Sequence, residues 1–230
     1  MLEAKKLNMR YNDKIALKDL SFSVAPGEIF CLLGQNGAGK TTTINIFLGL
    51  LEPTSGEALI NNSSITSDSS IRSSIAYIPE IVQLYGNLSG LENLDFFSRL
   101  AGFNYNEEEL SQYLIKANLQ PEAFKQKLST YSKGMRQKVG IAIALAKNAT
   151  YILMDEPTSG LDPKASVEFA NTCKELSANG VGVLMATHDI FNAVNICARI
   201  GIMKEGTLVH IAETENISAQ ELQELYIKTI

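Results

Sequence analysis

The run Gly34-Gln35-Asn36-Gly37-Ala38-Gly39-Lys40-Thr41 fits the pattern G-x-x-x-x-G-K-[S/T]. Glycines at these places let backbone N–H groups turn inward around phosphate oxygens, which a side chain would obstruct. Lys40 can then reach the terminal phosphates of a nucleotide, and the Thr41 hydroxyl can face Mg²⁺. A second constellation, Asp155-Glu156, follows the apolar segment Tyr151-Ile152-Leu153-Met154. Asp155 suits a direct or second-layer role at Mg²⁺, and Glu156 suits polarisation of an attacking water.

Both constellations depend on the elements around them. Ile29 to Leu33 is continuously apolar, as expected for a central strand covered on both faces. Thr41 to Leu50 reads as a helix whose N-terminal partial charge faces the loop. Tyr151 to Met154 reads as a second strand. In a parallel sheet, ligands bind beyond the carboxyl ends of the strands, so Asp155 is expected beside the phosphate loop. Leu20, Phe22 and Val24 alternate as one face of a strand near the start, and Pro26-Gly27 marks a turn. Further strands are expected over Gly56 to Asn61 and Val181 to Ala186, the latter ending at Thr187-His188. Ile200 to Met203 and Thr207 to Ile211 flank Glu205-Gly206 as a hairpin. Asn61 to Ser74, rich in Ser, Asn and Thr, reads as a surface loop. Ser89-Gly90-Leu91-Glu92 reads as a capping box opening a largely helical stretch to about Ala149, and Ser218 to Glu221 caps a last helix.

Bulk composition narrows the function classes. With 230 residues, 45% of them hydrophobic and 20% charged, the chain can bury a substantial core and is not a disordered polymer. A net charge of −5 with scattered Lys and Arg does not suit a nucleic-acid backbone, so no nucleic-acid partner is expected. Cys31, Cys173 and Cys197 are far apart and odd in number, which predicts reduced, structural thiols in a cytosolic setting. Met1 to Lys6 lacks the apolar core of a signal peptide, and no segment approaches the roughly 20 apolar residues of a membrane span.

Between the two phosphate motifs lies Leu128-Ser129-Thr130-Tyr131-Ser132-Lys133-Gly134-Met135-Arg136-Gln137. It resembles the Leu-Ser-Gly-Gly-Gln signature segment of ATP-binding cassette (ABC) ATPases, and the resemblance spans about residues 2 to 212. It implies an α/β fold: a P-loop NTPase core over 1–80 and 150–212 with an N-terminal antiparallel β-subdomain, an inserted α-helical signature subdomain over 81–149, and a C-terminal helix over 213–230, all one domain. It implies that Gly34, Gln35, Asn36, Gly37, Ala38, Gly39, Lys40, Thr41 and Thr42 hold ATP, with Tyr11 stacked on adenine. Thr41, Asp155 and Glu80 would serve Mg²⁺; Glu156, His188 and Lys40 would be catalytic. Ser132, Lys133, Gly134 and Met135 would form the signature presented to a second ATPase subunit, identical or not, with Ser132 and Gly134 meeting the γ-phosphate held there, and Ser159-Gly160-Leu161-Asp162 would join the two sites.

Three positions depart from the family pattern. Glu80 stands where most members have glutamine, with Gln83 close by as a possible substitute, and Lys133 and Met135 replace signature glycine and glutamine. Such variants resemble ATPases paired with drug, antibiotic or lipid exporters. The resemblance implies an ATPase peripheral to the cytoplasmic face of the membrane, driving a membrane-spanning partner on another chain. A cassette acting on ribosomes or nucleic acid is the alternative, and the acidic balance and single cassette weigh against it.

Overall fold

The computed structural model describes residues 1–66 and 69–230. Its strands are β1 (Leu2–Tyr11), β2 (Lys14–Val24), β3 (Ile29–Leu33), β4 (Ser55–Ile60), β5 (Ser63–Ser64), β6 (Ile75–Ile78), β7 (Tyr151–Asp155), β8 (Gly182–Thr187), β9 (Arg199–Lys204) and β10 (Thr207–Glu213). Its helices are α1 (Lys40–Phe47), α2 (Gly90–Leu100), α3 (Glu107–Lys116), α4 (Lys133–Ala146), α5 (Pro163–Ala178), α6 (Ile190–Ile196) and α7 (Ala219–Thr229).

Two sheets form. One has the order β2-β1-β4-β5 and is antiparallel; the other has the order β10-β9-β3-β8-β7-β6. In the second sheet β6, β7, β8, β3 and β9 run parallel, and β10 returns antiparallel to β9 through the turn at Glu205-Gly206.

The apolar runs of β3, β7 and β8 are explained by the two cores they separate. Ile29, Cys31, Leu33, Ile152, Met154, Val183 and Met185 point to one side and pack with α2 to α6. Phe30, Leu32, Tyr151, Leu153, Leu184 and Ala186 point to the other. There they meet Leu2, Leu7, Leu20, Phe22 and Val24 of the antiparallel sheet and Ile44, Ile46 and Phe47 of α1. Each central strand is thus apolar up to its carboxyl end, where β7 reaches Asp155 and β8 reaches Thr187, because neither face sees water. The three cysteines are buried and free.

The stretch Asn61 to Ser74 is more structured than a loop reading suggests. It carries β5 and a 3₁₀ turn over Ser69–Ser74, and only Ser67 and Asp68 of it lie outside the described residues. β6 also formed without a sequence forecast: its four residues follow a serine-rich run, and its burial comes from pairing with β7. The helical stretch before β7 comprises α2, α3 and α4, with full capping boxes at Ser89–Glu92 and at Asn106–Glu109. β10 extends through Glu213, and the last helix begins at Ala219. Among the described residues no helix is long and apolar enough to cross a membrane.

Candidate active site

β8 positions both chemical constellations. It lies between β3 and β7, so its carboxyl end faces the phosphate loop on one side and the Asp155-Glu156 pair on the other. Gly34 N–H donates to the Thr187 carbonyl at 3.2 Å, and Glu156 N–H donates to the Ala186 carbonyl at 2.8 Å. Each bond extends a parallel ladder just beyond its regular strand and fixes where the next segment departs.

The loop wraps back on itself. Gly39, the N-cap of α1, has φ 104°, and a Cβ there would fall 2.7 Å from the Ala16 carbonyl oxygen. Gly37 has φ 86° but faces open space, so its role is conformational. No side chain caps α1, which leaves first-turn N–H groups pointing at the cleft. Lys40 is buried; its Nζ donates to the Gly34 carbonyl at 2.6 Å and the Gln35 carbonyl at 3.3 Å, and stands 3.6 Å from Glu156 Oε1. Its ammonium is therefore held at the loop mouth rather than left to wander.

Glu156 is fixed from several sides. Its φ of 46° is unusual for a non-glycine residue and aims the side chain across the sheet end. Oε2 accepts from the Thr187 hydroxyl at 3.0 Å and from His188 N–H at 3.3 Å, while His188 Nδ1 lies 2.9 Å from Oε1. Asp155 Oδ2 accepts from the Thr41 hydroxyl at 2.9 Å. Its Oδ1 is buried without a hydrogen-bond partner among the described residues. Burial lifts the Asp155 carboxyl above its ordinary range, helped by the charges of Glu156 and Glu80 and opposed by the Thr41 bond and Lys40. Burial likewise raises the Tyr77 phenol, with Asp155 adding to it.

A divalent ion would suit this corner. The orphaned Oδ1 and the Thr41 hydroxyl are hard oxygen donors, as Mg²⁺ prefers. No group of three or more His, Cys, Asp or Glu side chains able to hold a metal occurs among the described residues. That agrees with Mg²⁺ habitually taking few protein ligands and completing its shell with water and phosphate oxygens.

The cleft measures about 670 Å³ and is lined by Tyr11, Gln35, Asn36, Gly37, Gly39, Lys40, Thr41, Thr42, Glu80, Asp155 and Glu156 among others. Tyr11 sits at its rim, 42% exposed, at the end of β1. Glu80 lines it just past β6, whereas Gln83 is exposed and outside the lining. Lys14, Tyr77 and Ile81 also line it and were not foreseen; only their proximity in space marks them. Thr187 is another late addition. A threonine at a strand end carries little signal until its hydroxyl is found on Glu156.

The signature residues are elsewhere. Ser132, Gly134 and Met135 line a separate pocket with Leu161 and Asp162. Ser132 caps α4, accepting from Met135 N–H at 3.3 Å, and Asp162 caps α5, accepting from Ala165 N–H at 2.9 Å. Lys133 does not line that pocket; its Nζ donates to the Ser159 carbonyl.

Residues 17–159 match the sequence profile of the ABC transporter family. The linearmycin resistance ATP-binding protein LnrL of Bacillus subtilis (strain 168) is 32% identical over 96% of this chain and 71% of its own length. The lipopolysaccharide export system ATP-binding protein LptB of Acidithiobacillus ferridurans is 31% identical over 94% of this chain and 92% of its own. Among solved structures, an ATP-binding subunit of an ABC transporter superposes with a TM-score of 0.83 at 33% identity, covering 100% of this chain and 99% of that one. A dimeric ATP-binding cassette in a post-hydrolysis state, bound to ADP and Pi, gives 0.81 at 28% identity, covering 94% and 100%. The chain belongs to the ABC transporter family, as an ATP-binding ATPase subunit that uses ATP with Mg²⁺ and powers transport through a separate membrane-spanning partner.

Proposed function

We propose that this subunit drives export, that the cleft beside Lys40 is its ATP site, and that hydrolysis there needs the signature pocket of a second subunit. The observation that carries the reading is the convergence at one sheet end of the phosphate loop and a Glu156 carboxylate held by Thr187 and His188. Export is supported by relatives named for antibiotic resistance and lipopolysaccharide export. With a membrane-spanning partner, the subunit sits peripherally on the cytoplasmic face.

In this reading Tyr11 stacks on the adenine at the cleft rim. The loop N–H groups from Gly34 to Thr42 and Lys40 take the phosphates, trading Lys40's carbonyl partners for stronger charged ones. Thr41 and Asp155, with Glu80 nearby, would hold Mg²⁺, which when bound neutralises charge on the phosphate oxygens. Glu156 orients or deprotonates the attacking water, and His188, within reach of the same carboxylate, senses the γ-phosphate. Ser132, Lys133, Gly134 and Met135 close the site from the second subunit, since the pocket that Ser132, Gly134 and Met135 line is not part of this subunit's cleft. The segment Ser159, Gly160, Leu161 and Asp162 lies between the two regions and relays closure.

The test is Glu156→Gln. It should keep ATP affinity, lower steady-state hydrolysis by roughly 10²–10⁴-fold, and accumulate an ATP-bound dimer by size-exclusion chromatography. Normal turnover would remove Glu156 from the role of base.

A further inference from the structure

Two of the departures from the family pattern, Glu80 and Lys133, meet on one residue. Ser159 donates its hydroxyl to Glu80 Oε1 at 2.8 Å, and its carbonyl accepts from Lys133 Nζ at 2.5 Å. Its own N–H donates to the Glu156 carbonyl at 3.1 Å. Ser159 is thus tied at once to the cleft wall, to the start of α4 and to the residue that orients water. Two residues before it the chain is also fastened to α4, since buried Gln137 donates its side-chain amide to the Pro157 carbonyl. The segment carrying Ser159 therefore has little freedom to drift while these bonds hold.

The charges on the bridge are opposite and both are additional to the family pattern. Glu80 adds a negative charge at the cleft, where it already bears on Asp155 after burial and Glu156. Lys133 adds a positive charge where the pattern has a small neutral residue. A carboxylate oxygen committed to a hydroxyl donor is less available to a cation, because ligation must compete with that bond.

We propose that Ser159 is a positioning residue that latches the Glu80 carboxylate in competition with the divalent cation of the cleft, and that Lys133 holds the latch in place. Removal of either hold releases Glu80 toward the metal. The signature pocket and the metal corner of one subunit are then coupled through a single serine. This rests on the cleft being the Mg²⁺–ATP site.

The experiment measures binding rather than turnover. Mn²⁺ is titrated into the full chain with a non-hydrolysable ATP analogue, and free Mn²⁺ is read by electron paramagnetic resonance. Ser159→Ala should lower the apparent Mn²⁺ Kd about tenfold, the scale of a hydrogen bond to a charged group. Ser159→Thr, which keeps the hydroxyl, should stay within about twofold of the parent, and Lys133→Ala should shift Kd in the same direction as Ser159→Ala by about threefold. In a Glu80→Ala background, neither Ser159→Ala nor Lys133→Ala should move it. An unchanged Kd in Ser159→Ala, or an equal shift without Glu80, overturns the latch. Failure of the parent to bind Mn²⁺ with the analogue overturns the site assignment itself, and the latch with it.

Discussion

The molecule has two helix N-termini that could face phosphate, and they are built differently. At α1 the cap is Gly39 in a left-handed conformation, no side chain satisfies the first-turn N–H groups, and a buried lysine points back over the loop. At α4 the cap is Ser132, whose hydroxyl is already used by Met135 N–H, and the neighbouring Lys133 is turned away onto Ser159. The first lines the cleft that holds the phosphate loop, and the second lines a separate, smaller pocket. On the proposed reading one fold carries half of two sites: the phosphate-loop half selects the nucleotide, and the signature half closes on an anion that another chain brings.

Breaking the phosphate-loop half should cost most. Lys40→Ala removes the buried cation at the loop mouth and should weaken ATP binding about hundredfold or more by equilibrium titration. Unchanged affinity would refute the cradle assignment. Gly134→Asp places a carboxylate at the signature half and should leave nucleotide affinity of the monomer near the parent value while abolishing hydrolysis. Mixing the two inactive variants sharpens the comparison. Half the dimers would be mixed, each with one intact composite site, so roughly a quarter of parental activity should return. If no activity returns, the two halves do not belong to different chains.

Asp155→Asn tests the metal corner, with a smaller effect and two opposite signs. As a metal ligand Asp155 must be ionised, so Mg²⁺-dependent nucleotide binding should fail on acidification at a higher pH than an ordinary aspartate would impose. Asparagine should remove that acid limb and lower Mg²⁺ affinity about tenfold to hundredfold. Folding responds the other way. A carboxyl raised in the folded state binds more protons there than in the unfolded chain, so nucleotide-free protein loses stability as pH rises through its titration. Above that titration the cost is fully present, and there Asp155→Asn should raise the Tm of the nucleotide-free protein.

These regions were not equally legible in the sequence. The phosphate loop and the Asp155-Glu156 pair announce themselves because a local pattern, strand then glycines then helix, specifies both geometry and chemistry. β3, β7 and β8 were readable for the same reason: burial on both faces leaves no polar position to confuse the period. β6 was not readable, since it is short and held by β7 rather than by its own residues. The roles of Thr187 and Ser159 were hidden differently. Each is an ordinary hydroxyl whose meaning comes from a bond to a residue 31 or 79 positions away. The absence of Gln83 from the cleft lining, and the presence of Glu80, likewise depend on how the chain leaves β6.

The smallest effect, and the finest division of the two halves, is expected at Ser132. Its bond to Met135 N–H is long at 3.3 Å, and unlike Ser89 or Ser218 it has no reciprocal glutamate completing a capping box. As a cap it is therefore weak, and Ser132→Ala should cost only about 0.5 kcal/mol in urea unfolding, the low end for such caps. Its hydroxyl is exposed and free to turn from a poor intrahelical bond to a charged one across a dimer interface. If it does so, hydrolysis should fall about tenfold, more than the loss of stability explains, because a hydrogen bond to phosphate exceeds the cap it replaces. Ser132→Ala with normal hydrolysis and a lowered unfolding midpoint would make Ser132 a helix cap alone, and would leave anion binding at the start of α4 to first-turn backbone N–H groups such as that of Gly134.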